Sequence, residues 1–385
     1  MLRGGRLNTA RVAVSIGFAL AFRVPVLQAD LCLGPEQCVQ ASGQDIAVPG
    51  YSVPSFVDWN NDGLPDLIVG EGGSPYSGRI RIYLNVGTSG APLFGDFSYA
   101  QSNGSDLTES PGFCLGVFPR VVYWDADGRK DLMIGLADGT VKIYLNVNTD
   151  EEPRFDGGTL LLVGEPGSKV AIDVGLRATP IVNDWNEDGR KDLVIGAYDG
   201  KIHIFLNVGS DTSPDFRTET LAQADGQDLI VLDTRSSPHM ADLDGDGRKD
   251  LLSGNTEGEL LFYRNVGTNE APAFSGYTNV AANGVPIDLP YDARSRPFVC
   301  DWNLDGLPDV LLGGGDGKVR RYLGVPPPGD IDGDGDVDSD DLNAFVAVLI
   351  GASFDPLQTT RSDLNHDGTA NGEDIQLFVS LLLSP

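Results

Sequence analysis

Short apolar runs of strand length recur along this chain, each bounded by Gly, Asn, Asp or Pro. Arg79-Ile-Arg-Ile-Tyr-Leu-Asn-Val86 matches Val141-Lys-Ile-Tyr-Leu-Asn-Val147, Ile202-His-Ile-Phe-Leu-Asn-Val208 and Leu261-Phe-Tyr-Arg-Asn-Val266. Their partial alternation and β-branched or aromatic content predict β-strands. A further strand is expected after each of Phe94, Phe155, Phe216 and Phe274. Between residues 30 and 325 no run keeps a long helical period. Only beyond that region do apolar residues fall at helical spacing: Leu342, Phe345, Val346 and Leu349, then Ile375, Phe378, Val379 and Leu382.

The strands belong to a larger repeat of roughly sixty residues. Its signature is Asp58-Trp-Asn-Asn-Asp-Gly-Leu-Pro-Asp66, Tyr123-Trp-Asp-Ala-Asp-Gly-Arg-Lys-Asp131, Asp184-Trp-Asn-Glu-Asp-Gly-Arg-Lys-Asp192, Asp242-Leu-Asp-Gly-Asp-Gly-Arg-Lys-Asp250 and Asp301-Trp-Asn-Leu-Asp-Gly-Leu-Pro-Asp309. A proline precedes each signature by four residues (Pro54, Pro119, Pro180, Pro238, Pro297). A short apolar run after it ends on a glycine: Gly70, Gly135, Gly196, Gly254, Gly313. Four short antiparallel strands per unit, repeated radially, describe the blade of a β-propeller. Five units predict five blades. Gln40-Ala-Ser-Gly-Gln-Asp-Ile46 resembles Gln223-Ala-Asp-Gly-Gln-Asp-Leu229, and the fifth unit lacks its own last strand. A strand near residues 36–41 is therefore expected to complete the last blade and remove the open edge.

Acids at positions one, three, five and nine of a Gly-containing turn supply oxygens to one point, which suits calcium. Four units carry the full set: Asp58, Asn60, Asp62 and Asp66; Asp184, Asn186, Asp188 and Asp192; Asp242, Asp244, Asp246 and Asp250; Asp301, Asn303, Asp305 and Asp309. The second unit keeps Asp125, Asp127 and Asp131 but has Tyr123 at position one, so its site is expected to be weak or empty. After Pro326-Pro-Pro-Gly329, which reads as a linker, come two twelve-residue loops with a glycine at six, Gly335 and Gly368. The first offers Asp330, Asp332, Asp334, Asp336, Asp338 and Asp341; the second offers Asp363, Asn365, Asp367, Thr369, Asn371 and Asp374. The spacing is that of an EF-hand loop with Asp in place of the final Glu.

At these residues the propeller region, roughly 40–324, resembles the FG-GAP/VCBS repeats of integrin-type propellers and secreted bacterial proteins. Those propellers commonly have seven blades, so five signatures are a departure. The resemblance implies structural calcium at the blade turns and a glycan or extracellular protein bound on a propeller face. Residues 329–383, two loop-helix halves, resemble a type I dockerin. That implies calcium-dependent folding and docking to a cohesin-type domain, usually in polysaccharide-degrading assemblies. Residues at positions ten and eleven often set cohesin choice; here they are Ser339-Asp340 and Gly372-Glu373, unlike the common Ser/Thr pairs. The domain layout expected is a signal peptide at 1–29, a propeller at 30–325, a linker at 326–329 and a dockerin-like domain at 330–385.

Composition sharpens this picture. The 385 residues carry 27 Lys+Arg against 56 Asp+Glu, a formal charge of −29, which argues against a phosphate-binding nucleic-acid partner. Much of that acidity sits in the loops above. Arg3, Arg6 and Arg11, the apolar run Val12 to Phe22 and Ala29 read as a secretory signal, too short for a membrane span. Cys32 and Cys38 are placed to pair, Cys114 and Cys300 have no sequence basis for pairing, and the three histidines are scattered. Trp59, Trp124, Trp185 and Trp302 share position two of the signature, which points to packing between blades rather than to sugar stacking. No catalytic constellation and no organic cofactor site stands out. The function expected is a secreted calcium-binding interaction module with a dockerin-like tether. The alternatives are a glycoside hydrolase or polysaccharide lyase, and a structural envelope or matrix protein.

Overall fold

The computed structural model describes residues 31–72, 78–109, 116–290, 294–333, 337–365 and 368–382. The expected signal segment and Cys114 lie outside the described residues. The chain is mainly β: a propeller followed by a small helical region. Five sheets carry the repeat units: three have four antiparallel strands, and two have six, because a short ribbon (Gln40–Ala41 with Gln44–Asp45, and Gln223–Ala224 with Gln227–Asp228) joins their four antiparallel strands. Their first strands, Val53–Val57, Phe118–Val122, Thr179–Asn183, Ser237–Ala241 and Arg296–Cys300, contact one another in a closed ring around the axis. Three smaller ribbons, such as Leu162–Val163 with Val170–Ala171, lie outside that ring and are not blades.

Closure occurs where the repeats predict it. Gln37–Cys38 pairs antiparallel with Val319–Tyr322, with Gln37 opposite Arg321 and Cys38 opposite Arg320. The fifth blade thus takes its outermost strand from the start of the described chain. Cys38 is a free thiol, so the Cys32–Cys38 staple is not formed. The physical reason is register: Cys32 aligns with Ala281, whereas Cys38 is built into the fifth blade.

The repeated Gly and Pro interlock the blades. In each second strand the terminal glycine lies against the backbone just before the next blade's proline. A Cβ on Gly135 would meet Ala178 O at 2.2 Å and Pro180 Cδ at 2.4 Å; one on Gly313 would meet Ser52 O at 2.3 Å and Pro54 Cδ at 2.7 Å. The Gly313 contact joins the last blade to the first. Apolar side chains fill the space between facing sheets, and the five inter-blade clusters include one shared by the fifth and first blades: Phe56, Leu67, Tyr83, Trp302, Leu311 and Val319. Each tryptophan packs on a phenylalanine in the neighbouring blade; Phe94 and Phe274 open the outer strand there, and Phe155 and Phe216 form isolated bridges just before it. Trp59 lies 5.8 Å from Phe155, Trp124 6.2 Å from Phe216, Trp185 6.1 Å from Phe274 and Trp302 5.9 Å from Phe94. These rings are inter-blade packing elements, as their repetition implied.

The C-terminal region contains α1 (Ser339–Leu349), α2 (Pro356–Arg361) and α3 (Ile375–Leu382). Asp338 caps α1 in a reciprocal arrangement with Asp341. Phe345 and Phe378 stack at 4.5 Å over Ile331 and form a core of their own.

Candidate metal centres

Each Asp loop joins the end of an inner strand to the start of the second strand, at the same end of every blade. Position nine is buried in all five. Its two carboxylate oxygens accept backbone N–H groups from two different segments. Asp66 takes Trp59 N at 2.9 Å and Asn85 N at 2.7 Å; Asp131 takes Trp124 N at 2.9 Å and Asn146 N at 2.8 Å. Asp192 takes Trp185 N at 3.0 Å and Asn207 N at 2.7 Å, Asp250 takes Leu243 N at 3.2 Å and Asn265 N at 2.8 Å, and Asp309 takes Trp302 N at 2.6 Å and Gly324 N at 2.5 Å. The ninth residue is therefore a clamp between the loop and the end of the third strand. Burial pushes Asp66 and Asp192 up to about 6 and Asp250 up to about 7, against the pull of those amides; Asp131 and Asp309 are raised for the same reason.

Position one holds the turn itself. Asp58 accepts from Asp62 N and Gly63 N, Asp184 from Asp188 N and Gly189 N, Asp301 from Asp305 N and Gly306 N, and Asp242 from Gly247 N. In the second blade Tyr123 cannot accept in this way and stands half-exposed. Asp125 there accepts from Asp127 N at 3.2 Å. The position-five Asp127, Asp188 and Asp246 are each paired with the arginine two residues on (Arg129, Arg190, Arg248), whereas Asp62 and Asp305 are followed by Leu64 and Leu307.

The oxygens converge as a hard cation needs. Asp242, Asp244 and Asp250 bring one carboxylate oxygen each within 4.8 Å of one another, with Arg264 Nη1 3.0 Å from Asp244. The position-three oxygens Asn60 Oδ1 and Asn186 Oδ1 are buried with no hydrogen-bond donor, whereas Asp244 Oδ2 faces Arg264. A cation at the loop centre would satisfy both asparagine oxygens, so the donor set fits calcium. Asn303 Oδ1 instead accepts Asp305 N at 3.3 Å.

The C-terminal loops repeat one design. Asp341 is buried and accepts from Ile331 N at 2.6 Å, Asp332 N at 3.1 Å and Asp338 N at 2.8 Å. Asp374 is also buried and accepts from Leu364 N at 2.8 Å, Asn365 N at 3.0 Å and Asn371 N at 2.8 Å. Asp330, Asp332 and Asp341 form the second three-carboxylate group among the described residues. Asp363 accepts Gly368 N at 2.8 Å, and Asn371 Nδ2 donates to Thr369. Asp334, Asp336 and Asp367 lie outside the described residues.

Family models agree with both regions: an FG-GAP-like repeat matches residues 184–253 and 242–312, and a dockerin type I domain matches 328–383. The chain carries an FG-GAP-repeat propeller and a type I dockerin domain. It is similar to human integrin alpha-8, at 24% identity over 74% of this chain and 28% of that protein. Integrin alpha-4 of Xenopus laevis is 25% identical over 64% of this chain and 23% of its own length. The chain thus spans about a quarter of these relatives. Among solved structures, the catalytic domain of a Coprinopsis cinerea GH62 alpha-L-arabinofuranosidase aligns with 77% of this chain and 97% of that one, at 12% identity and TM-score 0.47. A likeness of that size carries no argument about activity. Dockerin type I and FG-GAP domains generally bind calcium. No helix among the described residues of this dockerin-bearing propeller is long and apolar enough to cross a membrane.

Two sets of residues in the FG-GAP blades went unrecognised in the sequence. Asn85, Asn146, Asn207 and Asn265 are buried and build the turn after the third strand; Asn207 Oδ1 accepts Gly209 N at 2.9 Å and Asp215 N at 3.0 Å. Their signal was visible as the repeated Leu-Asn-Val and Arg-Asn-Val. The lysine at position eight reaches the preceding blade: Lys249 Nζ donates to Asp184 O at 2.6 Å, and Lys191 Nζ to Trp124 O at 2.9 Å. That role has no sequence signal, since the carbonyl it meets lies in another repeat.

Proposed function

We propose that this protein is an exported, calcium-stabilised interaction module: the propeller binds a glycan or an extracellular protein on one face, and the dockerin domain tethers it to a cohesin-type partner. The observation that carries this reading is the joining of a ring closed on itself, with donor sets that fit calcium at one end of its blades, to a dockerin domain that keeps apolar side chains outside. Phe345 and Phe378 turn inward, while Leu342, Val346, Ile375 and Val379 stay exposed on α1 and α3. An exposed apolar stripe on a small domain is what a docking partner would cover. In this reading Asp58, Asn60, Asp62 and Asp66 and their counterparts in the third, fourth and fifth blades hold calcium. Asp125, Asp127 and Asp131 bind weakly at most, and the two dockerin loops hold one ion each.

The test is a paired measurement on the intact chain with and without calcium. Binding to a polysaccharide panel is read together with release of reducing ends, and binding to cohesin domains is read in parallel. Saturable glycan binding without product release, lost with EDTA, supports the module. Product release abolished by substituting carboxylates outside the loops would replace it with a hydrolase or lyase.

A further inference from the structure

Buried charges in this protein are generally paired. Glu71, fully buried, takes Arg79 at 3.0 Å and Arg81 at 2.5 Å; Arg320 takes Glu36 at 3.1 Å and Asp316 at 2.6 Å. Among the described residues, four arginines depart from this pattern together. Arg177, Arg235 and Arg294 stand three residues before the inner-strand prolines of the third, fourth and fifth blades, and Arg296 directly precedes Pro297. Equivalent positions in successive blades surround the propeller axis. The inner strand that begins at Arg296 ends at Cys300, next to Asp301. The arginines therefore lie at the end of the channel opposite the Asp loops, about 15 Å away along an extended strand.

Arg177 and Arg296 are 1% and 0% exposed, yet among the described residues no carboxylate pairs with any of the four. Arg177 Nε and Nη1, Arg235 Nη1, Arg294 Nε and Nη1, and Arg296 Nε and Nη2 are buried without an acceptor. Only Arg296 Nη1 finds one, Arg294 O at 3.0 Å. What surrounds the guanidinium groups is aromatic: Arg294 and Arg296 lie 4.5 and 4.7 Å from the Tyr51 ring centre. Arg177 and Arg296 lie 5.3 and 5.5 Å from that of Phe118, and Arg235 4.9 Å from that of Tyr198. Burial pulls Arg177 down to about 9 and Arg296 well below its ordinary value, and the neighbouring arginines push the same way. Arg177, Arg235 and Arg294 also hold left-handed backbone, φ 59°, 57° and 51°, where the second blade has Gly116 at 73°. Cationic groups gathered, desolvated and left unpaired are costly unless an anion joins them.

The rim supplies the remaining chemistry. Leu176, Tyr198 and Leu232 are exposed beside Arg177 and Arg235, with Tyr198 N bonded to Leu176 O and Arg235 N to Tyr198 O. An apolar platform next to planar guanidinium forks fits a ring that is apolar on one face and carries a carboxylate on its edge. We propose that this axial mouth binds the uronate residue of an acidic glycan, with Arg235 and Arg294 gripping the carboxylate and Arg177 and Arg296 supplying the positive floor. This rests on the glycan-binding half of the function proposed above.

The experiment uses the intact chain in saturating calcium and reads trigalacturonate binding by calorimetry. Its methyl ester, neutral oligosaccharides, tetraglutamate and inorganic phosphate are run beside it. Arg235→Gln and Arg294→Gln are the variants, because both positions are only partly buried and their melting curves check folding. Saturable trigalacturonate binding, weakened at least tenfold by either variant and absent for the methyl ester, supports the site. Equal binding of the ester, unchanged affinity in both variants, equal or tighter binding of tetraglutamate, or binding of inorganic phosphate alone overturns it. Neutral glycans bound equally by wild type and variants would overturn this inference and leave the glycan-binding module standing. No binding of any glycan would remove both.

Discussion

Ring closure by a backbone contact makes Gly313→Ala a sensitive perturbation. The new methyl would lie 2.3 Å from Ser52 O, 2.9 Å from Ser52 C and 2.7 Å from Pro54 Cδ, none of them the end of a flexible side chain. Ordinary contact requires more than 3 Å, so the first blade must move by roughly 1 Å relative to the fifth. Ser52 is also bonded across that seam. Its N–H donates to Gly314 O at 3.1 Å, its hydroxyl donates to Lys318 O at 2.6 Å, and Gly314 N donates to it at 2.9 Å. Overpacking costs about 1–3 kcal/mol, and strain on three buried hydrogen bonds adds about 1–2 kcal/mol. The expected loss is therefore about 2–5 kcal/mol. At roughly 2–4 °C per kcal/mol, thermal unfolding should begin about 4–20 °C earlier. The control is Gly95→Ala, because nothing lies within 4 Å of a Cβ there and its backbone is not left-handed. Calorimetric melts of both variants in calcium decide the matter. If Gly313→Ala melts within 2 °C of Gly95→Ala, the seam is not held by close backbone contact and the reasoning fails.

Other outcomes follow from the same geometry. Trp302→Ala removes a ring stacked 4.7 Å from Phe56 and 5.9 Å from Phe94, and should cost about 3–5 kcal/mol in a denaturant titration. EDTA should lower the melting temperature by roughly 10 °C and calcium should restore it, since an ion at 100 times its Kd adds about 2.7 kcal/mol per site. Tyr123→Asp supplies the acceptor that the second loop lacks at a half-exposed position, and should add one calcium equivalent by calorimetry. His239 lines the channel 5.0 Å from Phe298, and burial, with Arg120 nearby, pulls it down to about 3. A depressed folded value means stability is fully present above the unfolded value near 6.5 and is lost as pH falls toward 3. Part of the ring faces the channel, so the loss at pH 4.5 should be about 1–2 kcal/mol. His239→Phe should flatten that part of the pH profile in denaturant melts.

The repeat made most of the propeller legible. A glycine or proline recurring every sixty residues marks a backbone contact made five times, and an Asp ladder around a Gly turn marks oxygens that converge locally. The same holds for the paired twelve-residue loops, because loop and ligand lie within one short segment. Where a residue's partner lies outside its own loop, legibility ended. Asp192 reads as a loop ligand, but its two oxygens hold the amides of Trp185 and Asn207; the latter is fifteen residues on. Cys38 reads as a partner for Cys32, but the register of ring closure sends it to the fifth blade.

By itself the sequence determined the propeller class, the place of each Asp loop and the existence of a second, helical domain, and it pointed to the N-terminal strand that closes the last blade. All of these depend on local pattern and on symmetry, which a repeat displays openly. Only the tertiary structure decided that four arginines from the third, fourth and fifth blades meet at one end of the axis, with no carboxylate among the described residues paired to them. They are far apart along the chain, and although Arg177, Arg235 and Arg294 share one place in the repeat, three residues before the inner-strand proline, nothing local shows that they meet. Their common environment arises because a closed ring brings the residues at the start of its inner strands to a single mouth, and burial there leaves most of their guanidinium N–H groups without an acceptor among the described residues.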